Sequence, residues 1–409
     1  MTKLTENPTP EQILSLNNQL FSDHAPGTLL KDFATLLDFI GPKGIPVSGQ
    51  QHLLPIKALP HLNQLMSKPL DVKLKRPVQK SFPHINGLFL LLRASGLSYI
   101  LVDKKVATLR LDTDVLADWQ TLNPTERYFA LFQAWWLRGN GKMLDSINGS
   151  QNPYRILMLF KDVLGKPLGS KVPNIDVEYL RYTPGLLNLA LMELFGFVRI
   201  KLATHSTGET WPIIGIEPSD WGRTFLSCLP EGMMLTGGLF NTLPEDAQGN
   251  PWHFAIKPHI PSWQRELREP EILALENGFC VFKVSLGKAY CKLAAPTSAT
   301  LDDLAANILS AFAFDNDHLY EFIYTNRYGL EEQVNHPYDN SDPCTEDVTV
   351  GELPLYKGME LAFHFDFGDD WWFKLVVETF AANDGRYPQI SILEQHGIPP
   401  KQYRDWDDE

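Results

Sequence analysis

One arrangement of elements occurs twice in the first 230 residues and restricts the folds available to this part of the chain. From Phe82 to Leu111, an apolar helical segment ends at Gly96 and two β-rich runs follow. From Thr183 to Leu229, a similar helix ends at Gly196, and two strands and a Trp-Gly-Arg turn follow. Glycine commonly ends helices because it adopts the left-handed conformation cheaply. This order predicts two winged-helix-like modules, although helix, glycine and hairpin is also a common α+β connection.

The segments around these copies are mainly helical. Thr28 to Ile40 has apolar residues at helical spacing and ends at Gly-Pro-Lys-Gly. Asp114 to Arg138 also predicts helix, with Asn123 as N-cap and Pro124 opening its second half. We interpret the aromatic residues of this stretch as core and inter-domain packing rather than as a base-stacking platform.

Length and charge indicate a multi-domain protein, because 409 residues exceed one ordinary core. We assign residues 1–112 and 113–235 to two helical, winged-helix-like modules and residues 265–409 to a separate domain. Residues 1–230 contain 24 Lys and Arg and 19 Asp and Glu, whereas residues 231–409 contain 12 and 30. The acidic second part is therefore a poor candidate for contact with a phosphate backbone.

Several features predict a cytoplasmic protein. Met1 to Pro10 is polar and lacks the apolar region of a secretory signal. No run approaches the length of about 18 apolar residues that a membrane span needs. The four cysteines are far apart and form no CxxC pair, so we expect neither a disulfide framework nor a structural zinc site.

From Gly278 onward the pattern becomes β–α–β. Two alternating apolar runs predict a hairpin, and a helix follows that Thr300 caps. A strand comes next, then residues 331–346 read as a polar, acidic loop. Residues 359–380 predict a second hairpin around Gly368-Asp369-Asp370. We therefore expect a compact α/β domain of hairpin, helix and antiparallel sheet.

Two motifs in this domain, AFAFDNDHLYEF and FHFDFGDDWWFKLVV, carry a family resemblance. Over about residues 278–395 the chain resembles the plasmid pRiA4b ORF-3-like family. The matching positions are Phe314, Asp317, His318, Leu319, Phe322, Phe365, Asp366, Phe367, Gly368, Asp369 and Trp371. Two family segments differ. An early Pro-x-x-Trp-Arg is replaced by Ala289-Tyr290-Cys291-Lys292, and a late cysteine-containing Pro-Pro-Glu-Asp segment by HGIPPKQYRDWDDE.

The resemblance implies a compact α/β domain found on plasmids and beside insertion-sequence genes. Some family members carry a resolvase-like name, which does not transfer to this chain. A serine recombinase needs a nucleophilic serine among clustered arginines, and a tyrosine recombinase needs an Arg–His–Arg–Tyr set. The acidic C-terminal part contains neither set.

Two polar clusters are candidate chemical sites. His364, Asp366, Asp369 and Asp370 have the ligand types of a Mg²⁺ or Mn²⁺ site for phosphodiester chemistry. Aspartate and glycine at a hairpin turn also need no function beyond the turn. His318, beside Asp315 and Asp317, is a candidate for an acid/base pair. Alternatively, Asp317 caps or turns the chain into the next strand and His318 is a half-buried side chain.

The most basic stretch runs from residue 68 to residue 80. It offers candidate phosphate contacts if the neighbouring module reads DNA, or it is a solvated linker; the residues are Lys68, Lys73, Lys75, Arg76 and Lys80. The chain has no GxxxxGK[ST], no GxGxxG after a strand and no GxSxG, so we expect no cofactor.

Three functional hypotheses follow. The first is a non-enzymatic, nucleic-acid-associated or regulatory protein linked to mobile elements. In it the N-terminal half contacts DNA or a partner, and the acidic domain binds a protein. The second is a metal-dependent phosphodiesterase that uses the His364 cluster. The third is a protein–protein interaction scaffold that never contacts DNA. The partner, any DNA sequence preference and the oligomeric state are open at this point.

Overall fold

The computed structural model describes residues 8–103, 106–139, 141–144, 184–203, 211–228, 256–270, 277–339, 341–382 and 385–403. The chain divides into two compact units, Met1–Pro270 and Glu271–Glu409. We call them the N-terminal and C-terminal units. The main boundary that the sequence predicts, near residues 235–265, lies shortly before this division. The finer assignment of two modules within residues 1–235 stays a prediction.

The described part of the N-terminal unit is mainly helical with short antiparallel strands. Its helices are α1 (Pro10–Asn17), α2 (Leu29–Ile40), α3 (Leu59–Leu65), α4 (Pro83–Ala94), α5 (Thr113–Thr121), α6 (Pro124–Arg138), α7 (Leu186–Leu194) and α8 (Asp220–Ser227). Its strands are β1 (Ile45–Pro46), β2 (Ser98–Asp103), β3 (Val106–Leu111), β4 (Val198–Leu202) and β5 (Ile213–Pro218).

The local signals in the sequence explain several of these boundaries. Asn123 caps α6 in a reciprocal capping box with Glu126, and Pro124 opens the helix. The glycines after α4 and α7, Gly96 and Gly196, have φ values of 77° and 75°. Both are therefore left-handed stops of the kind that the sequence predicts.

The two copies of the repeated pattern form separate small sheets. In the first, β1, β3 and β2 are hydrogen-bonded in that order and all pairs are antiparallel. The sequence missed β1, a two-residue strand that pairs Ile45 with Leu109. In the second copy, β4 and β5 form a two-stranded sheet. The loop between β4 and β5 and the turn at residues 104–105 lie outside the described residues.

Helices α4 and α7 lie inside the N-terminal unit. All twelve residues of α4 are buried, and so are residues 187–194 of α7. α4 packs against α7 and α6. Gly87 allows the close approach of α7, since a Cβ atom there would lie 3.0 Å from Leu191 Cδ2. The helix that precedes the hairpin in each copy is therefore a core element.

An aromatic cluster joins α6, α7 and α8. Phe129, Phe132 and Trp135 on α6 are fully buried, as expected from the sequence. Phe132 contacts Phe195 and Phe225 with ring centroids 5.8 and 5.0 Å apart. Aromatic pairs of this geometry contribute beyond their buried area.

The described residues of the C-terminal unit form a seven-stranded antiparallel sheet with one helix on it. Its elements are β6 (Gly278–Leu286), β7 (Ala289–Pro296), α9 (Leu301–Ala311), β8 (Tyr320–Thr325), β9 (Glu331–Asn335), β10 (Glu360–Phe365), β11 (Trp371–Ala382) and β12 (Ser391–His396). The strand order is β12-β7-β6-β11-β10-β8-β9. The sequence predicts a loop over residues 331–346. This prediction is wrong for the first part of the segment, because β9 forms there and pairs with β8.

One face of this sheet forms the core with α9. Thr300 caps α9 through a capping box with Asp303, as the sequence predicts. The helix buries Leu301, Leu304 and Ile308 against strand residues including Phe363, which is fully buried. The mixed α+β class with a C-terminal antiparallel sheet is confirmed. In the described part of the chain, no helix has the length and apolar character required to cross a bilayer.

Candidate functional site

The family motifs meet at the turn between β10 and β11. Asp366 follows β10 with a φ of 55°, and its backbone N–H donates to the Leu319 carbonyl at 3.0 Å. Its buried carboxylate accepts the N–H groups of Gly368 at 3.0 Å and Asp369 at 3.3 Å. Asp370 donates its own N–H back to the Asp366 carbonyl at 2.7 Å. Asp366 therefore organises the turn and ties it to the start of β8.

His364 is held between two carboxylates. Its Nδ1 lies 3.0 Å from Glu321 Oε1 and its Nε2 lies 2.9 Å from Asp370 Oδ1. Asp370 Oδ1 also accepts the indole N–H of Trp372 at 2.8 Å. The imidazole stacks on the Trp372 ring, with centroids 3.9 Å apart and planes at 8°. Both ring nitrogens are thus already hydrogen-bonded.

The side chains of the candidate metal cluster are engaged with other partners. Among the described residues, no three His, Cys, Asp or Glu side chains are arranged to hold a metal ion. The physical reason is that His364 and Asp366 bind different partners. His364 is occupied by Glu321 and Asp370, whereas Asp366 is occupied by the turn backbone. The metal-dependent phosphodiesterase hypothesis stays a prediction.

His318 lies beside two carboxylates at the start of β8. Its Nε2 is 3.5 Å from Asp366 Oδ2 and 3.8 Å from Asp317 Oδ1. The imidazole is 42% exposed and the Asp366 side chain only 8%. Both distances are longer than those of short hydrogen bonds. The His318 imidazole therefore lies at the surface, next to the turn that Asp366 organises.

Asp317 is bonded to a segment beyond β12. Tyr403 donates its hydroxyl to Asp317 Oδ2 at 2.5 Å, and Gln402 donates to Oδ1 at 3.1 Å. The Tyr403 hydroxyl is the main reason that the pKa of Asp317 lies below its usual value. The same contact raises the pKa of Tyr403 to about 12. These bonds anchor residues 402–403 to the family motif.

Removing the Tyr403 hydroxyl is expected to raise the pKa of Asp317. A carboxyl whose pKa is depressed by folding stabilises the protein above its unfolded value of about 3.9, and this contribution is lost as pH falls through the folded pKa. The variant Tyr403→Phe lacks the hydroxyl that is the main cause of the lowered pKa of Asp317. The contribution of Asp317 to the pH dependence of folding stability is therefore smaller in this variant. Carboxyl-carbon NMR titration of Asp317 measures the change. The control Tyr338→Phe alters a tyrosine that is 83% exposed; an unchanged Asp317 titration in Tyr403→Phe would contradict the assignment.

Several motif residues are buried in the hydrophobic core and not exposed at the surface. Phe322 and Phe365 are fully buried, and Phe314 is 6% exposed. Trp371 packs edge-on against Phe314 with centroids 5.1 Å apart. Gly368 lies over the Asp366 carboxylate, since a Cβ there would be 3.2 Å from Oδ1.

Sequence reasoning missed Trp372, Glu321 and Tyr403. The signal for Trp372 was available, because neighbours on a strand point to opposite faces. With Trp371 packed on the core, Trp372 had to face outward. Glu321 and Tyr403 carried no such signal, since their contacts with His364 and Asp317 depend on strand register and on the path of the C-terminal segment.

The turn presents exposed aromatic and acidic side chains together. Phe367 is 51% exposed, Trp372 47% and Leu319 38%. The Asp370 side chain is 68% exposed, and Asp369 is also exposed. Phe367 and Trp372 both contact the His364 ring, at 4.9 and 3.9 Å between centroids. We call these five residues (Leu319, Phe367, Asp369, Asp370 and Trp372) the hairpin surface.

The basic stretch of the N-terminal unit is partly neutralised. Lys68 Nζ lies 2.8 Å from Glu193 Oε1 on α7, and Lys73 lies 3.2 Å from Asp71. Glu193 also bonds the buried His84 of α4 at 2.8 Å. Lys75, Arg76 and Lys80 are exposed. Two of the five candidate phosphate contacts are therefore engaged within the protein.

Cys280, Cys291 and Cys344 are free thiols. Cys228, Cys280 and Cys291 are buried, and burial raises the pKa of the Cys280 thiol and brings that of Cys291 to about 12. Because the thiolate is the nucleophile, these two side chains are inert core residues.

Comparison with known proteins agrees with the motifs. Residues 284–402 match the model of a family described as plasmid pRiA4b ORF-3-like protein, which confirms the resemblance in the C-terminal part. A crystal structure described as a protein of unknown function, MM3350, from Methanosarcina mazei Go1 is 19% identical. That match covers 29% of this chain and 68% of the other, with a TM-score of 0.26. No curated protein matches this chain.

Proposed function

We propose that this protein, whose C-terminal part matches the pRiA4b ORF-3-like family, is a non-enzymatic protein-interaction scaffold with a regulatory role. The observation that carries the proposal is the burial of α4 and α7 against each other. The family description names a plasmid protein, and a role alongside mobile elements rests on that description.

The N-terminal unit is best interpreted as two winged-helix-like halves. The first half has the order α2, β1, α3, α4, β2, β3, and β3 lies between β1 and β2. In helix-turn-helix proteins the second helix enters the major groove, so its outer face must be free. Here the corresponding helices, α4 and α7, are core elements. This burial favours a structural role for both halves over DNA reading.

The polar contacts between these helices support the same conclusion. Glu193 on α7 is 9% exposed and bonds both His84 and Lys68. These bonds lower the pKa of Glu193 against the opposing effect of burial. A hydrogen bond to a charged group contributes about 1.5–3 kcal/mol. Opening α4 and α7 toward DNA would expose this network and is therefore unfavourable.

The C-terminal polar groups have structural roles that account for their positions. His364 supports the Trp372 ring and Asp366 holds the turn. These contacts of His364 and Asp366 hold the exposed residues of the hairpin surface in place. Exposed aromatic side chains of this kind are characteristic of protein-binding surfaces.

The proposal is tested by titrating full-length protein into labelled duplex DNA at salt concentrations from about 20 to 200 mM. We expect a Kd weaker than about 10 µM at 150 mM salt, within the non-specific range. Residual binding at low salt should decrease in the double variant Lys75→Ser/Arg76→Ser, which removes two exposed cations without touching α4. Submicromolar binding at 150 mM salt with a steep salt dependence would overturn the scaffold proposal in favour of a DNA-binding protein.

A further inference from the structure

We propose that the hairpin surface binds a basic segment of a partner protein through an arginine or lysine side chain. This inference rests on the proposed scaffold function and names the chemistry of the partner. It depends on three features of the surface: two exposed rings, an accessible carboxylate beside them and the charge of the C-terminal unit.

The aromatic part is held in place before any partner binds. Trp372 is fixed by the parallel His364 ring on one side and by its N–H bond to Asp370. Phe367 contacts the same imidazole with its ring plane inclined by 55°. A side chain whose rotamer is already fixed loses little entropy on binding, which favours affinity. Phe367 is 51% exposed and Trp372 is 47% exposed, so both residues remain accessible to a partner.

The acidic part lies on the same turn. Asp370 accepts the bonds from His364 and Trp372 through Oδ1 alone, and the side chain is 68% exposed. A cation can therefore reach this carboxylate, and Asp369 lies next to it in the sequence. A guanidinium or ammonium group over an exposed tryptophan gains about 0.5–1 kcal/mol from the ring alone. A neighbouring carboxylate adds a charge-assisted hydrogen bond.

The charge of the whole unit selects the same kind of partner. Residues 271–409 contain 9 Lys and Arg and 25 Asp and Glu, a balance of −16. Such a field attracts basic segments, speeds their association and repels acidic ones. An exposed apolar pair in neutral surroundings would suit an aliphatic partner. The same pair beside Asp369 and Asp370 suits a partner that is basic as well as apolar.

A peptide selection tests this inference. Phage-displayed random 12-residue peptides are selected on the full-length protein after depletion on the double variant Phe367→Ser/Asp370→Asn. Asparagine tolerates the positive φ of position 370, which is 59°. It also keeps an oxygen that can accept the His364 and Trp372 bonds. The control variant Tyr338→Ser removes another exposed aromatic residue of the same unit.

We expect the selected peptides to be enriched in arginine and lysine. A synthetic copy should bind at least about tenfold more weakly to the double variant, and normally to Tyr338→Ser. Peptides that depend on the hairpin surface without basic enrichment would overturn the basic partner and leave the scaffold function standing. If no peptide distinguishes the double variant, the hairpin surface is not the binding site; the DNA titration then decides the scaffold function separately.

Discussion

Replacing Gly222 with alanine is expected to lower the free energy of unfolding of the N-terminal unit by about 2–4 kcal/mol. Alanine normally stabilises a helix by about 1 kcal/mol relative to glycine, so the expected sign is opposite to that of helix propensity. A Cβ at this position would overlap the carbonyl oxygen of Phe197 and lie 2.7 Å from its carbonyl carbon. Both are backbone atoms, which cannot move aside as a flexible side chain does.

The close approach is fixed by Ser219, which caps α8. Its Oγ accepts the N–H of Gly222 at 2.8 Å and donates to the Gly196 carbonyl at 2.5 Å, so α8 is tied to the backbone after α7. Gly215→Ala is the matched control, because a Cβ there meets only the Lys201 side chain, at 3.8 Å or more. Urea unfolding of both variants measures the difference. Equal stability of Gly222→Ala and the natural protein would contradict the packing of α8.

Truncating Tyr128 to alanine is expected to cost about 3–5 kcal/mol, and truncating it to phenylalanine about 1–3 kcal/mol. The ring is 1% exposed and lies within 5.3 Å of the Phe21, Phe129 and Phe195 ring centroids. Its hydroxyl donates to the Phe195 carbonyl at 2.7 Å and accepts the Trp221 indole N–H at 2.9 Å. The variant Tyr128→Phe leaves the Phe195 carbonyl and the Trp221 indole N–H without their hydrogen-bond partner in the protein interior.

The two Tyr128 variants separate packing from hydrogen bonding. Unfolding monitored by circular dichroism should rank the natural protein first, Tyr128→Phe second and Tyr128→Ala third. If Tyr128→Phe is as stable as the natural protein, water satisfies the Phe195 carbonyl and the Trp221 N–H. The hydroxyl would then not be the link between α6 and α8.

The sequence predicted the local structure well where a signal lies within a few residues. The helix α9 and its Thr300 cap, the α6 cap at Asn123 and the glycine stops at Gly96 and Gly196 all follow from short-range rules. The hairpin around Gly368-Asp369-Asp370 follows from turn chemistry. These features depend on the chain neighbours alone.

Long-range features could not be predicted in the same way. The strand β9 has an acidic, polar sequence, and only its pairing with β8 makes it a strand. The sequence offers the basic stretch as a set of phosphate contacts. In the structure Lys68 pairs with Glu193, which is 125 positions away in the chain. The partners of the candidate metal cluster were hidden from the sequence for the same reason. The register between β10 and β8 places His364 opposite Glu321. The spacing of residues within 364–370 contains no information about this pairing.

Hydrogen exchange in the full-length protein tests the burial of α4 and α7 most directly. If these helices are core elements, their amides should exchange only through global unfolding, like other buried cores. α1, which buries only Leu16, is an internal reference and should exchange faster. Addition of duplex DNA should leave α4 and α7 unchanged. Rapid exchange in both helices that slows when DNA is added would show that they open to read it, and would contradict the scaffold function.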